Sequence, residues 1–436
     1  MASVDPATSA SAEAPLHQVV SLSLLALAVG LAAGVGACVF VAVQHHLTHW
    51  LWNDLPGLMG NASAPWWMVL TFPVVGGVLT FAATLLPGHG GHSPLDGFAI
   101  NIGPREVGSV LLASLASLAF GAVLGPEAPL MAVGTAVGAL AMRRQQPAAK
   151  QVMMIVGAMA AIGAIFGNPL VTTILLLEMA LAAGTALARP VILLPSLVGL
   201  ASSYLLQVGV GGWTGLGATQ MSLQGLAAYP NVRLVDLVVA VPLAVGVAVV
   251  TIVARLGALG VGRIAKRAPL ATLAGAGAVT GLCALGVVLI TGRSAELVLF
   301  AGQTVMLDYL GLASVGVGAV ILVAKFVAYV VCLGGGFRGG PMFPVVALGT
   351  IMAALTSPLV GGGGAVAALV AAAVAAATAA GVRFPFTAVL LGVLLTISAG
   401  PATTVPAIIG AVVGMLIRLA AERRIPVLAP GSADAA

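Results

Sequence analysis

The chain has 436 residues, of which 60% are hydrophobic and only 7% charged, against about 25% charged in an ordinary soluble domain. So few charges cannot cover a soluble protein of this size, and so apolar a chain cannot stay disordered. Seventeen Lys and Arg against twelve Asp and Glu leave a net charge of +5, too small and too scattered to hold nucleic acid. What remains is a helical protein of the lipid bilayer, with 57 glycines among the small residues through which such helices pack.

In chain order, Met1–His17 reads as a short soluble tail. It lacks the basic start of a signal peptide, and the apolar run behind it is too long for one. About fourteen apolar runs then follow between Val19 and Ala420. A spanning helix needs about 20 apolar residues, and several runs are shorter. Breaks at Gly121–Pro129, Gly167–Pro169 and Gly334–Pro344 suggest half-helices ending inside the membrane. Broken backbone at that depth is tolerated only when buried in protein or lining a wet cavity. The polar Gly209–Arg233 and the basic Arg255–Arg267 divide the chain into halves, about 18–232 and 233–428, followed by a short tail over 429–436. One internal echo supports a repeat: Gly167-Asn168-Pro169 and Arg383-Phe384-Pro385 each bring a proline to the head of an apolar run. The expected fold is an all-α integral membrane bundle with broken and re-entrant helices in two inverted repeats. The basic clusters Arg143–Lys150, Arg255–Arg267 and Arg418–Arg424 would all be cytoplasmic by the positive-inside rule. An inverted repeat separates the last two, so charge fixes no orientation.

Few polar residues interrupt the runs, and each is informative. His45, His46 and His49 beside Trp50 and Trp52 read as an interfacial belt. Pro87–Gly97 holds His89 and His92 three apart with no third ligand nearby, so no metal is expected; a glycine-rich turn before a half-helix fits better. Cys38, Cys283 and Cys332 stand in apolar stretches and read as small buried residues. In Gly121–Leu130, Gly125 permits a tight turn and Pro126 suits a first helical position. A helix starting there aims free N–H groups and its positive end into the membrane, where an anion can bind. Glu127 stands at that end with two roles open: a carboxylate gate in the anion's place, or a cap on its own helix. Glu178, with no partner carboxylate, is either an acceptor for nearby N–H groups or a proton relay. Gly334–Pro344 is a second intramembrane turn, whose glycines let N–H groups approach a ligand. Arg338 and Lys325 can each draw anions or snorkel to an interface.

These elements, in this order, resemble the CLC family of chloride channels and chloride/proton exchangers, whose filter segments are written GSGIP, G(K/R)EGP and GxFxP. Gly125-Pro126-Glu127-Ala128-Pro129 is similar to the second, and Gly339-Gly340-Pro341-Met342-Phe343-Pro344 to the third. Gly90-Gly91-His92-Ser93-Pro94 resembles a degraded first segment. Lys325-Phe326, Asn168-Pro169-Leu170 to Glu178, and Arg383-Phe384-Pro385-Phe386-Thr387 match further landmarks. The likeness runs from Pro87 to Thr387 through the motifs and farther through the apolar runs.

The resemblance implies a bacterial inner-membrane homodimer with one anion path per subunit. It implies Glu127 as gate and proton acceptor, with Glu178 a lesser candidate on a proton path. The anion would lie among Gly90, Gly91, His92, Ser93, Gly125, Pro126, Ala128, Gly340, Pro341, Met342 and Phe343. The departures are specific. The family's filter serine falls on Gly91, its filter phenylalanine on Met342, its pore tyrosine near Leu428, and the second glutamate of its exchangers on Met179. That last change leans toward an uncoupled channel. Two other readings stand beside chloride transport: a secondary transporter for another substrate, and a non-conducting membrane subunit. No phosphate-binding loop and no nucleophile–base pair suggests an enzyme, and no cofactor is expected.

Overall fold

In lipid, a chain this apolar satisfies its backbone by closing every N–H and C=O along helices. The computed structural model describes residues 15–97, 100, 102–182, 190–214, 222–312 and 314–429, and among these the chain forms sixteen α-helices. The first eight are α1 (Leu16–His49), α2 (Leu55–Leu58), α3 (Trp66–Thr84), α4 (Val107–Ala119), α5 (Glu127–Ala141), α6 (Pro147–Phe166), α7 (Pro169–Ala182) and α8 (Pro190–Thr214). The rest are α9 (Leu234–Arg267), α10 (Pro269–Thr291), α11 (Met306–Leu310), α12 (Val315–Gly335), α13 (Met342–Thr356), α14 (Ala365–Val382), α15 (Pro385–Leu395) and α16 (Thr404–Arg424). Ten segments are long and apolar enough to cross a membrane, and α4, α5, α7 and α15 are shorter apolar helices. Of the expected tails, residues 1–14 and 430–436 lie outside the described residues. Leu16 and His17, placed in the first tail by the sequence, already belong to α1.

Proline opens several helices, where its missing N–H costs nothing; α6, α7, α8, α10 and α15 all begin on one. The echo noted above is structural. Gly167 ends α6 and Arg383 ends α14, both left-handed (φ 58° and 66°), and after each the second residue on is the proline that starts the next helix. The basic stretch Arg255–Arg267 is no linker; it is the last part of the 34-residue α9.

Packing in the second half repeats that of the first. In the first, α5 lies on α6, α6 on α8, and α1 on both α6 and α8. In the second, α13 lies on α14, α14 on α16, and α9 on both α14 and α16. Likewise α3 on α4 is matched by α10 on α12. The halves meet through α3 on α10, α7 on α15, and an antiparallel bridge between Gly125 and Gly340. The deepest helix is α14, whose residues from Ala367 to Ala380 are all buried, most of them alanines. Outward faces carry residues such as Leu24, Leu289 and Leu416, as a lipid-facing belt does. Trp52 is not in an interfacial belt: it is buried, and its indole N–H donates to the Ala119 carbonyl (2.9 Å), closing the end of α4.

Candidate functional site

Two matched turns bring the N-termini of α5 and α13 to one point. After α4 the chain turns at Gly121 (φ 97°), and the Val123 N–H finds the buried Cys332 sulfur (3.4 Å). After α12 it turns at Gly336 (φ 105°), and the Arg338 N–H donates to Ser117 Oγ (2.9 Å). The turns then pair: the Gly125 N–H donates to the Gly340 carbonyl (2.8 Å) and the Gly340 N–H to that of Gly125 (2.6 Å). Such a reciprocal pair is the closed ring of an antiparallel ladder. Pro126 and Pro341 follow as N-caps, and α5 and α13 leave with their positive ends facing the junction.

Glu127 fills that junction. It is fully buried, and its Oε1 accepts the N–H of Phe343 in the first turn of α13 (3.1 Å). The carboxylate reaches across to the other half, to the first turn of α13. Its Oε2 has no hydrogen-bond partner. Gly125 and Gly340 make the room, since a Cβ on either would run into this carboxylate.

One cavity beside the junction is lined by all three expected segments. Gly90, His92 and Ser93 come from the first, Ala128 from the second, and Gly339, Gly340 and Pro341 from the third, joined by Ser114 and Arg338. Five expected anion contacts lie off its wall. Gly91 backs onto Val110, Gly125 is in the bridge with Pro126 capping behind it, and Met342 and Phe343 are buried in the first turn of α13, the Phe343 ring 6.2 Å from that of Phe166.

The first segment departs from expectation. The half-helix anticipated after it is a three-residue turn, Pro94–Asp96, because Asp96 and Ser93 cap each other and Gly97 leaves with φ 80°. Its amides are engaged by the chain itself: Gly90 N–H by Ser109 Oγ (3.2 Å), Gly91 N–H by the Gly88 carbonyl (2.8 Å), and Ser93 N–H by Asp96 (3.0 Å). The backbone here therefore offers an anion less than a helix N-terminus would. Among the described residues no three His, Cys, Asp or Glu side chains gather as a metal site.

The remaining charges resolve differently. Glu178 accepts from Phe386 N–H (2.8 Å), Thr387 N–H (2.8 Å) and the Thr387 hydroxyl (2.5 Å), so its carboxylate caps α15. Lys325 neither snorkels nor lines the cavity. It is fully buried, and its ammonium donates to the carbonyls of Val298 (3.1 Å) and Phe300 (3.3 Å). Arg338 does reach the cavity, its Nη2 donating to the His89 carbonyl (3.4 Å). Ser114 was missed by sequence reasoning. Its only signal is a second serine three residues on, which places two hydroxyls on one face of an apolar helix.

Residues 92–419 match the model of a family described as voltage gated chloride channel. A relative named "Putative ion-transport protein YfeO", from Salmonella newport (strain SL254), is 30% identical over 342 residues, covering 76% of this chain and 79% of its own. The protein of that name from Salmonella paratyphi A is 29% identical over the same length and coverage. The fold is similar to that of a slow cyanobacterial Cl−/H+ antiporter (TM-score 0.70, 18% identity, 92% of this chain and 94% of that one). It is also similar to that of a CLC-type fluoride/proton antiporter (TM-score 0.68, 16% identity, 93% and 97%).

Proposed function

The chain belongs to the voltage gated chloride channel family, and from that premise we propose that this multi-pass membrane protein carries a small inorganic anion, chloride first, with Glu127 as its gate. One observation carries the reading: a fully buried carboxylate sits on the N-terminal turn of a helix from the opposite half, with one oxygen unpartnered. A helix N-terminus holds a carboxylate and an inorganic anion by the same N–H groups and dipole, so the two compete for one place. A buried unmet oxygen costs about 1–3 kcal/mol, so the closed position is held loosely enough to be given up. An anion entering the cavity meets Ala128, Gly340 and Pro341 at its wall. It passes to the first turn of α13, at Met342 and Phe343, when the carboxylate is protonated or displaced. Weak binding at successive points lets the ion move on.

Passive conduction is the better-supported mode. Glu178 is fully engaged as a cap, and Met179 stands where the family's exchangers carry their second glutamate. The family resemblance supports a homodimer with one path in each copy. The matched packing supports a second half of the repeat opening at α9, close to residue 233.

The test is chloride efflux from proteoliposomes between pH 5 and 8. Protonation frees the carboxylate from α13, so wild-type flux rises as pH falls. Glu127→Gln, which carries no titrating group, gives high flux that is flat with pH. A Glu127→Gln profile that keeps the wild-type slope overturns the gate.

A further inference from the structure

We propose that the Ser114 hydroxyl and the Arg338 Nε–H are side-chain ligands for a small monovalent anion in the cavity, at a position apart from the one Glu127 occupies on α13. The proposal rests on the anion-transport reading and adds which side chains hold the ion before it meets the gate.

Both groups are buried donors without partners, and both line the same cavity. Ser114 is 1% exposed. A helical serine ordinarily bonds back to a carbonyl of its preceding turn, as Ser117 does to Ala113 (2.8 Å) and Ser109 to Glu106 (3.0 Å). Ser114, on the same helix, makes no such bond. Arg338 is held from two sides, by its own N–H on Ser117 Oγ (2.9 Å) and by Nη2 on the His89 carbonyl (3.4 Å). That anchoring leaves Nε buried and unmet.

A buried guanidinium N–H and a buried hydroxyl without acceptors each carry a desolvation cost that an anion between them removes. A cation would meet the Arg338 charge instead. The Asp96 carboxylate on the neighbouring turn is engaged by the Ser93 N–H. The amides of Gly90, Gly91 and Ser93 are closed as well, so on this side of the cavity the side chains take over the donor role that backbone N–H groups fill at α13. The two ligands come from opposite halves, Ser114 from α4 and Arg338 from the turn before α13. An ion there ties the two turns together.

The experiment titrates chloride, and separately nitrate, into detergent-solubilised full-length protein by calorimetry. The chloride concentration for half-maximal efflux is read in proteoliposomes. A hydrogen bond to a charged ion is worth about a factor of ten or more. Ser114→Ala and Arg338→Gln are each expected to weaken chloride binding about tenfold and to raise the half-maximal concentration in step. Ser114→Thr and Arg338→Lys, which keep the hydroxyl and the charge, recover part of the affinity and show that packing is not the cause. Gel filtration confirms that each variant is folded. Wild-type affinity in either Ser114→Ala or Arg338→Gln overturns the proposal while leaving transport intact. A wild-type protein that neither binds nor passes chloride or nitrate overturns the transport reading and this proposal together.

Discussion

Glu127 and Glu178 are both lone carboxylates among apolar residues, yet their surroundings give them opposite characters. Glu178 meets three donors at the head of α15, whereas Glu127 meets one and leaves an oxygen bare. A complete cap is a structural group. Glu178→Ala should therefore lower stability by about 2 kcal/mol, the cost of losing a cap and stranding buried donors, read as a lower unfolding midpoint in detergent. Flux per folded molecule and its pH profile should stay as in the wild type; a flattened pH profile in Glu178→Ala would instead make it a proton carrier. Sequence reasoning identifies such residues because a charge in an apolar run is costly. It cannot say which backbone receives them, since the partner helices are more than 200 residues away along the chain. Lys325 shows the same limit: its charge is visible, but the carbonyls of Val298 and Phe300 that absorb it belong to a loop whose path only the fold determines.

Helices carry the positioning. The head of α5 is aimed by its contact with α6, where a Cβ at Gly134 would strike the Gly157 carbonyl and one at Gly138 the Met153 carbonyl. In the second half, Gly349 of α13 lies against the Ala373 carbonyl of α14 (2.9 Å from an added Cβ). Close approach of small residues is how membrane helices fix their relative height. Gly134→Val pushes α5 off α6 and should cost about 1–3 kcal/mol by overpacking, with a lower unfolding midpoint and reduced chloride efflux. A Gly134→Val protein of wild-type stability would show that α5 tolerates the shift and that its position is set elsewhere. The helices themselves were legible, because prolines mark their starts and unbroken apolar runs their bodies. The turn at Pro94–Asp96 was not. A proline after glycines reads as the head of a half-helix, but the reciprocal Ser93–Asp96 cap closes the turn at once. Local side-chain bonding thus outcompeted helix propagation there.

Across the whole molecule, coupling to protons through side chains requires a chain of titrating groups from the gate to a membrane face. Among the described residues the buried acids are Glu127, Glu178 and Asp236. Asp236 is bound to Arg233 by two bonds of 2.8 and 2.7 Å at the start of α9, and Glu178 is closed into the cap of α15. Glu127 alone stands beside the cavity with a free oxygen. A single carboxylate can open and close a path, but without a second titrating group no side chain passes its proton onward against the direction of the anion. Chloride efflux driven by a potassium diffusion potential should therefore leave the pH of a weakly buffered medium unchanged, and a protonophore should not alter the initial rate. Alkalinisation of the medium in fixed proportion to the chloride released would overturn this. It would mean that water inside the bundle carries the proton from Glu127, a route that the positions of acidic residues do not reveal.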